Sequence, residues 1–156
     1  MNTSSIILDT NLLVLFLVRS TDKKLIEKHK RTKAFDIDDF NELITIIKRF
    51  RKIISNPYIL AETSNLISQT DEDKNKKIKI SFINFLKTSE EKYENSLIVT
   101  QQKDFIRLGL TDASILDLVE QSFPLITVDL DLYLASSKIS KNVLNFNYIR
   151  QKRFFS

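Results

Sequence analysis

The sequence predicts an α/β fold: a three-layer α/β/α sandwich around a mostly parallel sheet. Three observations predict it. Short apolar runs of strand length alternate along the chain with stretches of helical periodicity. The runs are apolar throughout, with no polar residue at every second position, as strands covered on both faces require. A single glycine, Gly109, leaves few tight-turn positions for a fold built from hairpins.

The elements follow in order. Ile6-Ile7-Leu8 is a buried strand ending at a carboxylate, Asp9, and residues 10–19 read as a helix. Residues 22–33 are polar and basic, a loop or an exposed helix. Asp39 with Glu42 three residues on makes a capping-box variant, and Phe40, Leu43, Ile44, Ile47 and Phe50 keep a helical period. A strand at 52–55 leads into Asn56-Pro57, an N-cap and first-turn proline, and then a helix carrying Tyr58, Ile59, Glu62, Leu66 and Ile67. A charged break at 70–77 precedes an amphipathic helix marked by Ile78, Phe82, Phe85 and Leu86. Residues 96–100 read as a strand. Thr111 is a good N-cap for a helix over 112–122, and Pro124 separates that helix from a buried strand at 125–128. Residues 130–137 form a short helix and 143–149 a last strand, at an edge.

The length of 156 residues fits one domain, 1–156, with a longer basic helical segment at about 20–52. Apolar residues make up 42% of it, enough for a core, and most of the 11 phenylalanines are assigned there. The absence of cysteine excludes disulfides, zinc–thiolate sites and iron–sulfur ligation, and makes the cytosol the expected location. The apolar stretch 6–18 is broken by Asp9 and Asn11 and lacks a basic lead and a small-residue cleavage site, so it is read as part of the domain. No run approaches the ~18 apolar residues of a membrane helix. One glycine excludes the multi-glycine phosphate loops, and one histidine, His29, excludes a histidine-based triad or a multi-histidine zinc site.

Carboxylates remain. Asp9 and Asp129 each follow an apolar strand, at the carboxyl end that lines the crevice of open α/β sheets. Asp112 opens a helix, and Glu62 lies about one and a half turns into another. Each alone has an ordinary explanation as a cap, a helix-dipole partner or a surface charge. Brought together, they would repel one another and require cations. An all-oxygen set suits Mg²⁺ or Mn²⁺, and such a site suits hydrolysis of a phosphodiester. Net charge is +4; without these four acids the rest of the chain carries +8, with basic clusters at 23–33, 48–52 and 74–79. The expected picture is a negative pocket in a basic surface that attracts polyanions.

Four short motifs occur in order: Ile7-Leu8-Asp9-Thr10-Asn11, Leu60-Ala61-Glu62, Leu110-Thr111-Asp112-Ala113 and Thr127-Val128-Asp129. Together they resemble the acidic motifs of the PIN-domain nucleases, and the size resembles the VapC-like ribonuclease toxins of toxin–antitoxin systems. The resemblance implies an α/β/α sandwich and Mg²⁺- or Mn²⁺-dependent cleavage of RNA by metal-activated water. It gives the catalytic and metal-binding role to Asp9, Glu62, Asp112 and Asp129, with Asp131 assisting and Asn11, Thr111 and Thr127 supporting. It implies an RNA substrate, a small antitoxin partner and a homodimer. The stretch 19–53 departs from compact members in being long and basic. Two other functions fit the same residues: a structure-specific nuclease of DNA or of RNA processing, and a non-catalytic PIN-like RNA-binding module.

Overall fold

The computed structural model describes residues 5–25 and 28–155. The chain runs β1 (Ser5–Leu8), α1 (Thr10–Thr21), a 3₁₀ turn (Lys23–Leu25), α2 (Ile37–Ile47), β2 (Lys52–Ser55), α3 (Pro57–Ile67), α4 (Glu72–Thr88) and β3 (Glu90–Glu91). It continues through α5 (Ser96–Val99), α6 (Phe105–Leu108), α7 (Leu110–Glu120), β4 (Leu125–Thr127), α8 (Leu130–Ser137), β5 (Val143–Asn145) and α9 (Phe146–Phe155).

The strands form one sheet in the order β3-β2-β1-β4-β5, every pairing parallel. The register sets Ile7 beside Ile54 on one side and Leu125 on the other. The helices that connect these parallel strands flank the sheet, which gives the three-layer sandwich expected. β1 and β4 are buried along their whole length, as strands with helices on both sides must be. α1 is buried almost all round: Leu12, Leu13, Val14, Leu15, Leu17 and Val18 are each at most 1% exposed. It packs against α2, α3 and α4 as well as the sheet, so a one-sided apolar stripe would not suffice. Burying each such side chain contributes about 1.5–3 kcal/mol. Eight phenylalanines lie in or against the core; Phe105, Phe154 and Phe155 do not.

Several sequence expectations need correction. Residues 96–100 are not a strand: the Asn95 side chain accepts from Leu97 N and turns the chain into the short helix α5. One edge of the sheet is the two-residue β3, which is charged and carries no apolar signal; the other is β5, the last strand, at an edge as expected. Strand β5 stops at Asn145, not at 149, because Asn145 Oδ1 accepts from the N–H groups of Asn147 and Tyr148 and starts α9. The 70–77 break is mostly helix, since Asp71 caps α4 through Lys74 N. The capping box lies one turn earlier than expected, with Asp36 as the cap and Asp39 as its reciprocal partner. Thr111 is not an N-cap, because α7 already begins at Leu110. The basic stretch 20–52 is α-helical over α2 and the last residues of α1, with the 3₁₀ turn and further turns elsewhere; residues 26 and 27 of it lie outside the described residues. Its His29 is structural. The ring is 2% exposed, Nδ1 accepts from Arg31 N and Nε2 donates to Ile67 O, tying this stretch to the end of α3.

Candidate metal centre

The sheet order reverses direction between β1 and β4. From β1 the chain steps outward to β2 and β3, then returns to the other side of β1 for β4 and β5. Side chains at the carboxyl ends of these two strands face the crevice where open α/β sheets bind ligands. Asp9 follows β1, and Asp129 lies two residues beyond the end of β4.

Asp9 is built into the frame. Its backbone N–H donates to Ile126 O (3.2 Å), continuing the β1–β4 ladder. One carboxylate oxygen accepts from Leu12 N (2.9 Å) and caps α1. The other accepts from the Thr127 hydroxyl and from Val128 N (2.9 Å). The residue is 4% exposed. Burial raises its proton affinity above the ordinary aspartate value, against the lowering effect of these three hydrogen bonds; the charge of Asp129 adds to the rise.

Thr127 links two acids. Fully buried, it donates to Asp9 and accepts from Asp129 N (2.9 Å). Asp129 is exposed and caps α8 through Leu132 N (3.0 Å). Asn147, at the start of α9, donates to Val128 O (3.1 Å) and holds the same turn from its far side.

Asp112 lies in the first turn of α7, half-buried. Its carboxyl is pushed up to about 7, first by burial and then by the charges of Asp129, Glu62, Asp9 and Asp131. Asp112 therefore feels the charge of each of the other four acids singled out from the sequence. Two features set α7 in place. Gly109, immediately before it, has φ 90° and ψ −179°, a backbone region essentially restricted to glycine. Ser114 donates to Thr111 O (2.6 Å) and accepts from Asn56 Nδ2 (3.1 Å), which joins the start of α3 to the first turn of α7.

Glu62 is exposed on α3, and Asp131 is exposed in the first turn of α8. Among the described residues, no three acidic or histidine side chains converge tightly enough to share one ion in this arrangement. The donor set nonetheless fits a hard cation: it is all oxygen, it carries mutual repulsion that a cation relieves, and three of its members are exposed carboxylates with room to turn. Asn11 is exposed, and its side chain makes no hydrogen bond among the described residues, so the supporting role falls to Thr127. Thr111 contributes through its carbonyl.

The basic cluster at 48–52 does not surround this site. It precedes and enters β2, at the amino ends of the strands, and the acids lie at the carboxyl ends. Sequence reasoning missed Arg107, whose guanidinium is 3.8 Å from Asp131. It also missed the conformation of Gly109, though the position of the lone glycine just before Leu110-Thr111-Asp112 was a signal. No helix among the described residues is long and apolar enough to cross a membrane. Comparison with family models, curated proteins and solved structures returned no match for this chain.

Proposed function

We propose that this protein is a metal-dependent endoribonuclease, the toxin of a toxin–antitoxin pair, which hydrolyses RNA phosphodiester bonds. One observation carries the reading: Asp9 and Asp129 follow the two strands of the switch point, and burial together with the charges of Asp129, Glu62, Asp9 and Asp131 raises the Asp112 carboxyl to about 7. Like charges near one another raise each other's proton affinity, and a bound cation relieves that repulsion. Asp9, Glu62, Asp112 and Asp129 would hold Mg²⁺ or Mn²⁺, with Asp131 beside them. The ion would supply charge neutralisation and Lewis acidity toward the phosphodiester and its attacking water.

The chain supplies positioning. Thr127 and the N–H groups of Leu12 and Val128 keep Asp9 oriented. The bend at Gly109 and the Asn56–Ser114 bond fix the start of α7, which carries Asp112. With no catalytic cysteine and its only histidine built into the core, the chain points to direct attack by water without a covalent intermediate. RNA as the substrate, a small antitoxin as the partner, a homodimeric state and a cytosolic setting complete the proposal and rest on the motif resemblance.

The test is cleavage of RNA, single-stranded DNA and flapped DNA by purified protein with Mg²⁺ or Mn²⁺. RNA alone is expected to be cut, and Asp9→Asn and Asp112→Asn each abolish cleavage with an unchanged circular dichroism spectrum. Full activity in both variants would remove the site. Expression is expected to arrest growth, with Asp9→Asn relieving the arrest.

A further inference from the structure

We propose that Arg107 is a substrate-binding residue of the acidic site, holding a backbone phosphate of the nucleic-acid strand at the rim of the carboxylates. The inference rests on the nuclease reading above and adds the group that lets a polyanion approach five acids.

Arg107 lies on α6, two residues before the Gly109 bend that leads to Asp112. One edge of its guanidinium is anchored: Nη2 donates to Asp104 Oδ1 at 3.1 Å, and Asp104 is itself largely covered, with 20% of its side chain exposed. The other edge faces the site loosely. Nη1 is 3.8 Å from Asp131 Oδ1, beyond hydrogen-bonding range, and the two side chains are 53% and 71% exposed. The anchored contact sets the direction of the guanidinium, and the loose one is a weak exposed ion pair that a stronger anion can replace. Among the described residues, no other lysine or arginine forms an ion pair with Asp9, Glu62, Asp112, Asp129 or Asp131.

Chemistry favours a phosphate. A metal neutralises the carboxylates that bind it, but the neighbouring phosphates of the strand still meet the acids at the rim. A guanidinium presents paired N–H groups that match two phosphate oxygens, a fork that lysine lacks. Arg107 therefore keeps Asp104 on one edge and exchanges Asp131 for phosphate on the other.

The test separates binding from cleavage. A short labelled single-stranded RNA is titrated with wild-type protein, Arg107→Ala and Arg107→Lys, in buffer without divalent ions and then with Ca²⁺, over a range of salt. Arg107→Ala is expected to weaken binding about tenfold and to reduce the slope of log K against log salt by about 0.7, the share of one phosphate contact on a single strand. Arg107→Lys recovers part of the affinity. Arg49→Ala, an equal loss of charge at the opposite end of the sheet, leaves both quantities unchanged. Wild-type affinity in Arg107→Ala, or an equal loss in Arg49→Ala, would overturn the proposal. Where cleavage occurs, Arg107→Ala raises KM and leaves kcat close to wild type; a fall in kcat alone would also overturn it. The binding arm needs no turnover, so failure of the nuclease reading shows separately, as cleavage that survives Asp9→Asn.

Discussion

Asp9 and Thr127 show how one hydroxyl can organise the edge of an acidic crevice. Thr127 Oγ1 is a donor to a buried carboxylate and an acceptor for the N–H of the next acid, Asp129. Thr127→Val keeps the shape and removes both bonds. It is expected to cost about 1–3 kcal/mol in urea denaturation, the range for leaving a buried polar group short of a partner. A variant as stable as wild type would mean that water takes over the hydroxyl's role. Gly109 is a second single-residue determinant. An added Cβ there meets nothing within 4 Å, so any cost of Gly109→Ala is backbone strain alone. That strain is about 1–3 kcal/mol for a non-glycine residue in this region. An unchanged urea midpoint would show that α6 and α7 can be joined another way. The Thr127 role was legible through its motif and the lone glycine marked its position, but φ at Gly109 is set by how two helices meet and is not legible in the sequence.

At the scale of elements, the C-terminal helix is held by charge. Asp39 on α2 is 1% exposed and accepts from Arg150 Nε (3.0 Å), from Arg150 Nη2 (3.0 Å) and from Arg153 on α9. Arg150 also donates to Ala34 O (2.9 Å) and stacks on Phe35. Burial alone would raise the Asp39 carboxyl; the bonds from Arg150, the Asp36 N–H and Arg153 outweigh it and hold the group below its ordinary value. Its stabilising contribution is therefore present above the unfolded aspartate range and lost as pH falls through the lowered folded value. Asp39→Ala is expected to cost about 3 kcal/mol and to speed amide exchange in α9 selectively, because two arginines lose their shared partner. Uniform exchange across the chain would contradict that docking role. This helix was hidden in the sequence. Val143 to Ile149 read as a strand because Phe146, Tyr148 and Ile149 are strand formers, and nothing local announces that Asn145 ends the strand or that Asp39 waits 111 positions away from Arg150. By contrast β1, α3 and α8 were legible, since each begins or ends at its own cap: Asp9, Asn56 and Asp129.

For the whole molecule, the decisive property is where the sheet changes direction. The sequence motifs name four acids, but only the strand order β3-β2-β1-β4-β5 explains why residues up to 120 positions apart meet at one crevice. The result is an electrostatic liability with a testable pH signature. Asp112 titrates near 3.8 when unfolded and at about 7 in the folded chain, through burial first and its acidic neighbours second. The folded state thus binds this proton more tightly. The stability it contributes is complete below the unfolded value and is lost as pH rises through about 7. At about 1.36 kcal/mol per pH unit the full shift corresponds to about 4 kcal/mol. Screening by solvent over this partly open rim reduces the expected effect to about 1–2 kcal/mol. Asp112→Asn carries no proton to lose, so in metal-free buffer it is expected to exceed wild type in stability above pH 7, with the difference closing toward pH 4. Adding Mg²⁺ or Mn²⁺ reverses the order: wild type gains about 2.7 kcal/mol at a hundred times Kd, and the variant gains much less. Thermal melts of both proteins across pH, with and without the ion, read all four quantities. A pH-independent gap would mean that Asp112 does not sense its neighbours, and an equal response to metal would take Asp112 out of the centre.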